Sequence, residues 1–216
     1  MSISSSARIV ETGSTLQQTI DDMADLNDRG FNVSSRIGDT GEIKYEKTLE
    51  WAKNNGKIVS YIDLTKNEQA RHDDCDFVVF TGFRKDGKEY TEENAEWILK
   101  NTRTHPKQCK FIEVKTDTLI LETGNVYLEW IAHDVPGCFA ITKADKWIYY
   151  GVNADGKIVK GWSLDIPKIR SLFAAALITP KNGSVNVYPD VKTGNYGYRV
   201  KIDTLIHLGA AKEMKV

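Results

Sequence analysis

Phe111-Ile112-Glu113-Val114-Lys115 is short and rich in β-formers, so it is predicted to be extended, with successive side chains on opposite faces. Ile112 and Val114 then share one face, and Glu113 and Lys115 share the other. A carboxylate two residues before a lysine at a strand end can hold a divalent cation, while the ammonium meets a water or phosphate at the same ion. The same pattern also describes a solvated charge pair on an amphipathic strand, so its meaning depends on what the rest of the chain brings to it.

Upstream, Asp73-Asp74-Cys75-Asp76 stands at the mouth of an apolar strand, Phe77-Val78-Val79-Phe80, where a turn needs at most one acid. A carboxylate from this cluster and one from Glu113, on separate strands, can share a Mg²⁺ in a way that neighbouring acids on one strand cannot. Between these strands, Thr91 to Lys100 reads as a capped helix. Before them, Glu42 to Asn55 reads as a helix with Tyr45, Leu49 and Ala52 on one stripe and Gly56 ending it. Glu46 and Glu50 lie one turn apart on its flank. Ile58 to Leu64 reads as a strand, followed by a polar loop through Arg71 and His72. Residues 1–41 combine a Ser-rich start, a short helix and a loop from Ser34 to Gly41, which predicts an N-terminal arm or small accessory element ahead of a main domain over 42–216.

Downstream, Thr118 to Trp130 reads as a turn around Gly124-Asn125 feeding a strand, a hairpin. Thr142 to Tyr150 joins a short helical or turn segment to an aromatic strand whose Trp147 and tyrosines are assigned to packing. Ser163 to Leu177 reads as an N-capped helix with Pro167 near its first turn and Leu172, Phe173 and Leu177 to bury. Strands are predicted around Val185 to Tyr188 and Tyr198 to Ile206, the latter alternating Arg199 and Lys201 with apolar residues.

With 216 residues, 41% hydrophobic and 27% charged, the chain suffices for one substantial core. It has no apolar run near the length that crosses a bilayer, and its N-terminus lacks a basic segment followed by an apolar one. A cytoplasmic, non-membrane protein is expected. Cys75, Cys109 and Cys138 are too dispersed for a zinc site or a disulfide framework. The net charge of −1 conceals an asymmetry: residues 141–216 carry 12 Lys and Arg against 6 Asp and Glu, a net of +6, leaving −7 on the rest. Such a basic third is suited to phosphates, and Lys143, Lys146, Lys168, Arg170, Arg199 and Lys201 are its candidate DNA-facing cations.

Asp74-x-Asp76 before a strand, Phe111 to Lys115 on the next, Thr123-Gly124-Asn125-Val126-Tyr127-Leu128-Glu129, and Thr142-Lys143-Ala144-Asp145-Lys146-Trp147 together resemble the PD-(D/E)xK nuclease superfamily. They are most similar to a phage-associated branch with a TGN…E hairpin and a TxADxW segment after the E-x-K strand. The pattern departs from the family's in having no proline before the aspartate and a long separation between Asp76 and Glu113, so Asp74 stands beside Asp76 as a candidate.

The resemblance implies an α/β fold, a mixed central β-sheet flanked by helices with a restriction-endonuclease-like core, and hydrolysis of DNA phosphodiesters with Mg²⁺, for which Mn²⁺ can substitute. Asp76 and Glu113 would bind the ion with the Val114 carbonyl. Lys115 would orient or deprotonate the attacking water and stabilise developing negative charge. Glu50, or Glu46, would add a further acid from the preceding helix. A phage-encoded member would act in the host cytoplasm. Two alternatives remain: a Holliday-junction or branched-DNA resolvase, expected as a symmetric homodimer because two strands are cut, and a catalytically inactive nucleic-acid-binding module on the same fold. Catalysis requires the tips of Asp76, Glu113 and Lys115 to converge.

Overall fold

Strand β3 (Cys109–Asp117) runs through the middle of a six-stranded mixed sheet, and its alternating side chains divide the core in two. The computed structural model describes residues 38–102, 105–190 and 194–216. In chain order they form α1 (38–54), β1 (Ser60–Asp63), α2 (Glu68–His72), β2 (Phe77–Phe80), α3 (Glu92–Asn101), β3, α4 (Ile120–Thr123), β4 (Asn125–Ala132), β5 (Val135–Pro136), α5 (Cys138–Ile141), β6 (Lys146–Val152), β7 (Ile158–Asp165), α6 (Ile166–Ala174), β8 (Val185–Asp190), β9 (Asn195–Lys201), α7 (Ile202–His207) and β10 (Ala211–Met214). The larger sheet has the order β1-β2-β3-β6-β7-β10, antiparallel except for the parallel pair β3–β6. The smaller is fully antiparallel, β5-β4-β9-β8. The architecture is therefore mixed α/β, two sheets flanked by helices.

On one face of the larger sheet, Phe77, Val79, Ile112, Val114, Ile148 and Tyr150 pack against Tyr45 and Leu49 of α1. The period-two pattern of the strands meets the helical stripe as the sequence predicts. On the other face Val78, Phe80, Phe111, Trp147, Tyr149 and Leu164 enter the larger core with residues of α3, α6 and the second sheet. Gly41 sits inside α1 at its closest approach to β3: a Cβ there would come 2.6 Å from Thr116 Cγ2 and 3.2 Å from Val114 Cγ1. Only glycine lets the helix axis lie this near the strand.

Several expectations are corrected. The helix already runs at residue 38, and the compact unit begins at Ile37, so residues 38–41 belong to the main domain and not to a loop. The rest of the expected arm, up to residue 37, lies outside the described residues. The polar stretch before His72 is helix α2, because the Asn67 side chain caps it by accepting from Ala70 N–H. Gly124 does not turn a hairpin. At φ +64° it closes α4, and β4 leaves β3 to pair with β9 in the second sheet. Ser163 and Leu164 belong to β7, so α6 starts later, capped by Asp165, and Leu177 beyond its end is 57% exposed. The strand expected to reach Ile206 stops at Lys201 and gives way to α7. No helix among the described residues is long and apolar enough to cross a membrane.

Candidate active site

Asp76 lies immediately before β2, opposite the point where β3 outruns its partner: Phe77 pairs with Ile112, and β3 continues to Asp117. The Asp76 N–H donates to Ile112 O at 2.8 Å, and its Oδ2 accepts from Val114 N–H at 2.7 Å. In an extended strand a residue's N–H and C=O point to the same side. The Val114 carbonyl therefore faces the gap that Asp76 occupies.

Glu113 and Lys115 share a face, as alternation requires, and are joined directly: Lys115 Nζ is 2.5 Å from Glu113 Oε1 and 3.1 Å from Asp74 Oδ1. The same ammonium lies 5.4 Å from the centroid of the Trp147 ring. Asp74 reaches it from a left-handed backbone, φ +54°, a conformation tolerated by aspartate but costly for most residues. Glu113 Oε2 and Asp74 Oδ2 are buried without a hydrogen-bond partner among the described residues.

The electrostatics are those of a carboxylate cluster short of positive charge. Burial pushes the Glu113 carboxyl well above its ordinary range, and Asp76 and Asp74 push it further, against the opposing pull of Lys115. Asp76 is likewise raised, by burial and by Asp74, although Val114 N–H and Lys115 favour its charged form. For Lys115 burial favours the neutral amine, yet Glu113 and Asp74 outweigh it and hold the group charged.

Glu42, on the turn of α1 that Gly41 brings against β3, completes the group. Its pKa is raised to about 7, first by burial and then by Asp76, Asp39 and Asp63. Glu50 does not join it: it is exposed two turns further along α1, and Glu46 and Glu50 act instead on Tyr61 of β1. Because β1 passes from Tyr61 to Asp63 as α1 is retraced from Glu50 to Glu42, the acid near the site is the earlier one. Sequence reading placed Glu42 at the first position of the helix, next to a loop ending at Gly41, and sought the further acid one and two turns later at Glu46 and Glu50.

The segment after α5 is a buttress. The Thr142 hydroxyl, 1% exposed, donates to Asp74 O at 3.0 Å and accepts from Ala144 N–H at 3.1 Å and Trp147 Nε1 at 3.4 Å. Lys143 pairs with the buried Asp73 at 3.1 Å and donates to Leu99 O at 2.9 Å. Asp145 accepts from Phe111 N–H and from His105 Nδ1, each at 2.9 Å, and pairs with Lys110 at 3.2 Å. The segment from Thr142 to Asp145 thus braces the chain that leads into β2 and the start of β3. Cys138, at the start of α5, is near enough to Lys115 and Asp74 to feel their charges, and burial pushes its thiol up to about 12, so it stays neutral.

The six candidate DNA-facing cations divide. Lys143 is engaged internally, and so is Arg170, whose Nη2 donates to Phe139 O and Thr142 O, both at 2.9 Å. Their interior partners make them braces. Lys201, though exposed, donates to Thr123 O at 2.7 Å. Arg199 lies 3.5 Å over the Tyr188 ring, Lys168 is exposed and Lys146 half-buried.

No family model matches this chain, and neither the curated proteins nor the solved structures contain a significant match to it. Among the described residues no three His, Cys, Asp or Glu side chains gather into a metal cage of their own. At β3 the oxygens that could hold an ion are the Asp76 and Glu113 carboxylates and the Val114 carbonyl, a sparse set that would leave several waters on it.

Proposed function

We propose that this chain is a metal-dependent nuclease, hydrolysing phosphodiester bonds in DNA from a restriction-endonuclease-like core. The observation that carries this reading is that Asp76 accepts from the Val114 N–H at the overhanging end of β3 while Glu113 and Lys115, on either side of Val114, are joined to each other, with Glu113 Oε2 buried and unpartnered. A single ammonium does not neutralise Asp74, Asp76 and Glu113. Burial first, and then the neighbouring acids, raise the carboxyls of Asp76 and Glu113, which supports a place for a further positive charge beside them.

Asp76, Glu113 and the Val114 carbonyl would hold Mg²⁺. When bound, the ion supplies an acidified water and countercharge for the phosphoryl oxygens. Lys115, held charged by its two carboxylates, orients the attacking water and offsets charge on the phosphorane oxygens; it does not take the proton itself. Asp74 fixes the ammonium, and Glu42 adds negative potential on the α1 side.

The test is incubation of the full chain with supercoiled, linear and branched DNA, with and without Mg²⁺. Cleavage is expected only with the ion, and it should disappear in Asp76→Asn and in Glu113→Gln while the circular dichroism of the fold persists. Wild-type rates in Glu113→Gln would overturn the reading. Cleavage confined to branched DNA would indicate a resolvase, and binding without cleavage an inactive module.

A further inference from the structure

At the opposite end of the larger sheet, a cavity of about 450 Å³ is lined by Arg84, Tyr90, Asn94, Trp97, Pro106 and Gln108, among others. Its volume is in the range that takes a small organic ligand. Gln108 immediately precedes β3, whereas Lys115 is near that strand's end, so the cavity and the acid cluster are separated by roughly 20 Å of extended chain.

The walls are organised. Tyr90 stacks on Phe80 at 4.4 Å with ring planes 5° apart, and its hydroxyl accepts from Gln108 Nε2 at 3.0 Å. Asn94 Oδ1 accepts from Thr91 N–H at 3.1 Å and from Arg84 Nη1 at 2.7 Å. Arg84 is fixed on its other side by Asp86 at 3.0 Å. These bonds use the acceptor of Asn94 and one donor of Gln108. Among the described residues they leave the Asn94 side-chain N–H groups and the Gln108 side-chain oxygen, Oε1, without partners, a donor and an acceptor bordering one space.

Trp97 then stands out. Helix α3 buries Ala95, Ile98 and Leu99, while the indole of Trp97 points away from them, 61% exposed at the cavity rim. A lone exposed aromatic calls for no explanation. An exposed indole beside a fixed guanidinium and two amides with unused capacity is a different case. It offers a flat face for stacking, hydrogen-bonding groups for a heteroaromatic edge, and the charges of Arg84 and Lys85 for a phosphate.

We infer that this cavity binds an unpaired nucleobase, stacked on Trp97 with its edge at Asn94 and Gln108 and its phosphate toward Arg84 and Lys85. The base belongs either to a free nucleotide or to a single-stranded segment of nucleic acid. The site does not depend on the nuclease reading, because it shares no residue with the acid cluster.

The test measures anisotropy of a fluorescein-labelled strand of about eight deoxyadenosines, and of its abasic counterpart, on the full chain in EDTA, with AMP and ribose 5-phosphate as competitors. The base-bearing strand should bind more tightly than the abasic one. Trp97→Ala, at an exposed position, should weaken its binding roughly tenfold or more, and Trp97→Phe should restore most of the loss. Displacement by AMP but not by ribose 5-phosphate assigns a free-nucleotide site; base-dependent strand binding that resists AMP assigns a single-strand site. Equal binding of the abasic strand, an unaltered Trp97→Ala, or no binding of either base-bearing probe would each overturn the inference. Because binding is measured in EDTA and cleavage with Mg²⁺, loss of cleavage and loss of base binding are read separately.

Discussion

The hydroxyl of Thr142 and the main-chain carbonyl of Asp74 are 3.0 Å apart, 68 residues distant in sequence, and this bond pins the acid whose backbone is left-handed. Because the hydroxyl also accepts two N–H groups, its hydrogen-bonding capacity is fully used.

Thr142→Val keeps the shape and removes all three bonds, leaving Asp74 O, Ala144 N–H and Trp147 Nε1 short of a partner. We expect a loss of about 2–4 kcal/mol in urea denaturation. Thr142→Ser, which retains the hydroxyl, should cost clearly less; a Thr142→Val variant as stable as wild type, or no more destabilised than Thr142→Ser, would show that the three bonds are not the main contribution of this side chain.

Glu42 gives a pH dependence of definite sign. Its folded pKa of about 7 lies above the ordinary 4.5, so the folded state holds the proton more tightly than the unfolded chain does. This group's contribution is therefore most favourable below pH 4.5, declines as pH rises to about 7, and is level above. Glu42→Gln should remove that decline and raise stability at pH 8 relative to wild type, by about 1 kcal/mol once solvent screening of this half-exposed carboxyl is allowed for. An unchanged difference between the two proteins at pH 4 and pH 8 would show that Glu42 is solvated.

Asp145 runs the other way. Burial raises its carboxyl, but His105, Phe111 N–H and Lys110 prevail and hold it below its ordinary value. Its stabilisation is present above pH 3.8 and lost as pH falls through the lowered folded pKa. Asp145→Asn should cost about 2–3 kcal/mol at pH 7, with the gap to wild type narrowing toward pH 3. A gap independent of pH would mean that geometry, not charge, matters there.

The basic surface should separate by partner. Lys168 and Arg199, replaced together by alanine, are expected to flatten the log–log salt dependence of duplex binding by about 0.9 per lost phosphate contact. Arg170→Ala should instead lower the unfolding midpoint, since its guanidinium supports Phe139 O and Thr142 O. An Arg170 variant of wild-type stability with a reduced salt slope would reverse that division.

Strands β2 and β3 were legible because a period-two pattern needs only local residues to read, and the pairing of Glu113 with Lys115 follows from it. The second sheet was not. Gly124-Asn125 has the composition of a hairpin turn, but its glycine closes α4, and the partner of β4 lies some 70 residues later in β9. Local sequence carries no mark of so distant a pairing. Glu42 was passed over for a related reason: Gly41 reads as the end of a loop, which leaves Glu42 at a helix end, unless one knows that Thr116 and Val114 press against that glycine. Arg170 looked like a phosphate ligand because its two carbonyl acceptors come from α5 and the residue following it, and only the folded chain brings them near.

The late partner of β4 also sets an order of assembly. The meander β1–β2–β3 pairs neighbours in sequence, so Asp76 and Val114 can meet as soon as that part of the chain leaves the ribosome. Strand β4 must wait for β9, with its edge open while β6, β7 and α6 are being made. Asp76 and Val114 can thus be brought together by sequence neighbours alone, whereas Asp74 needs Thr142 and the sheet that carries Glu129 needs β9.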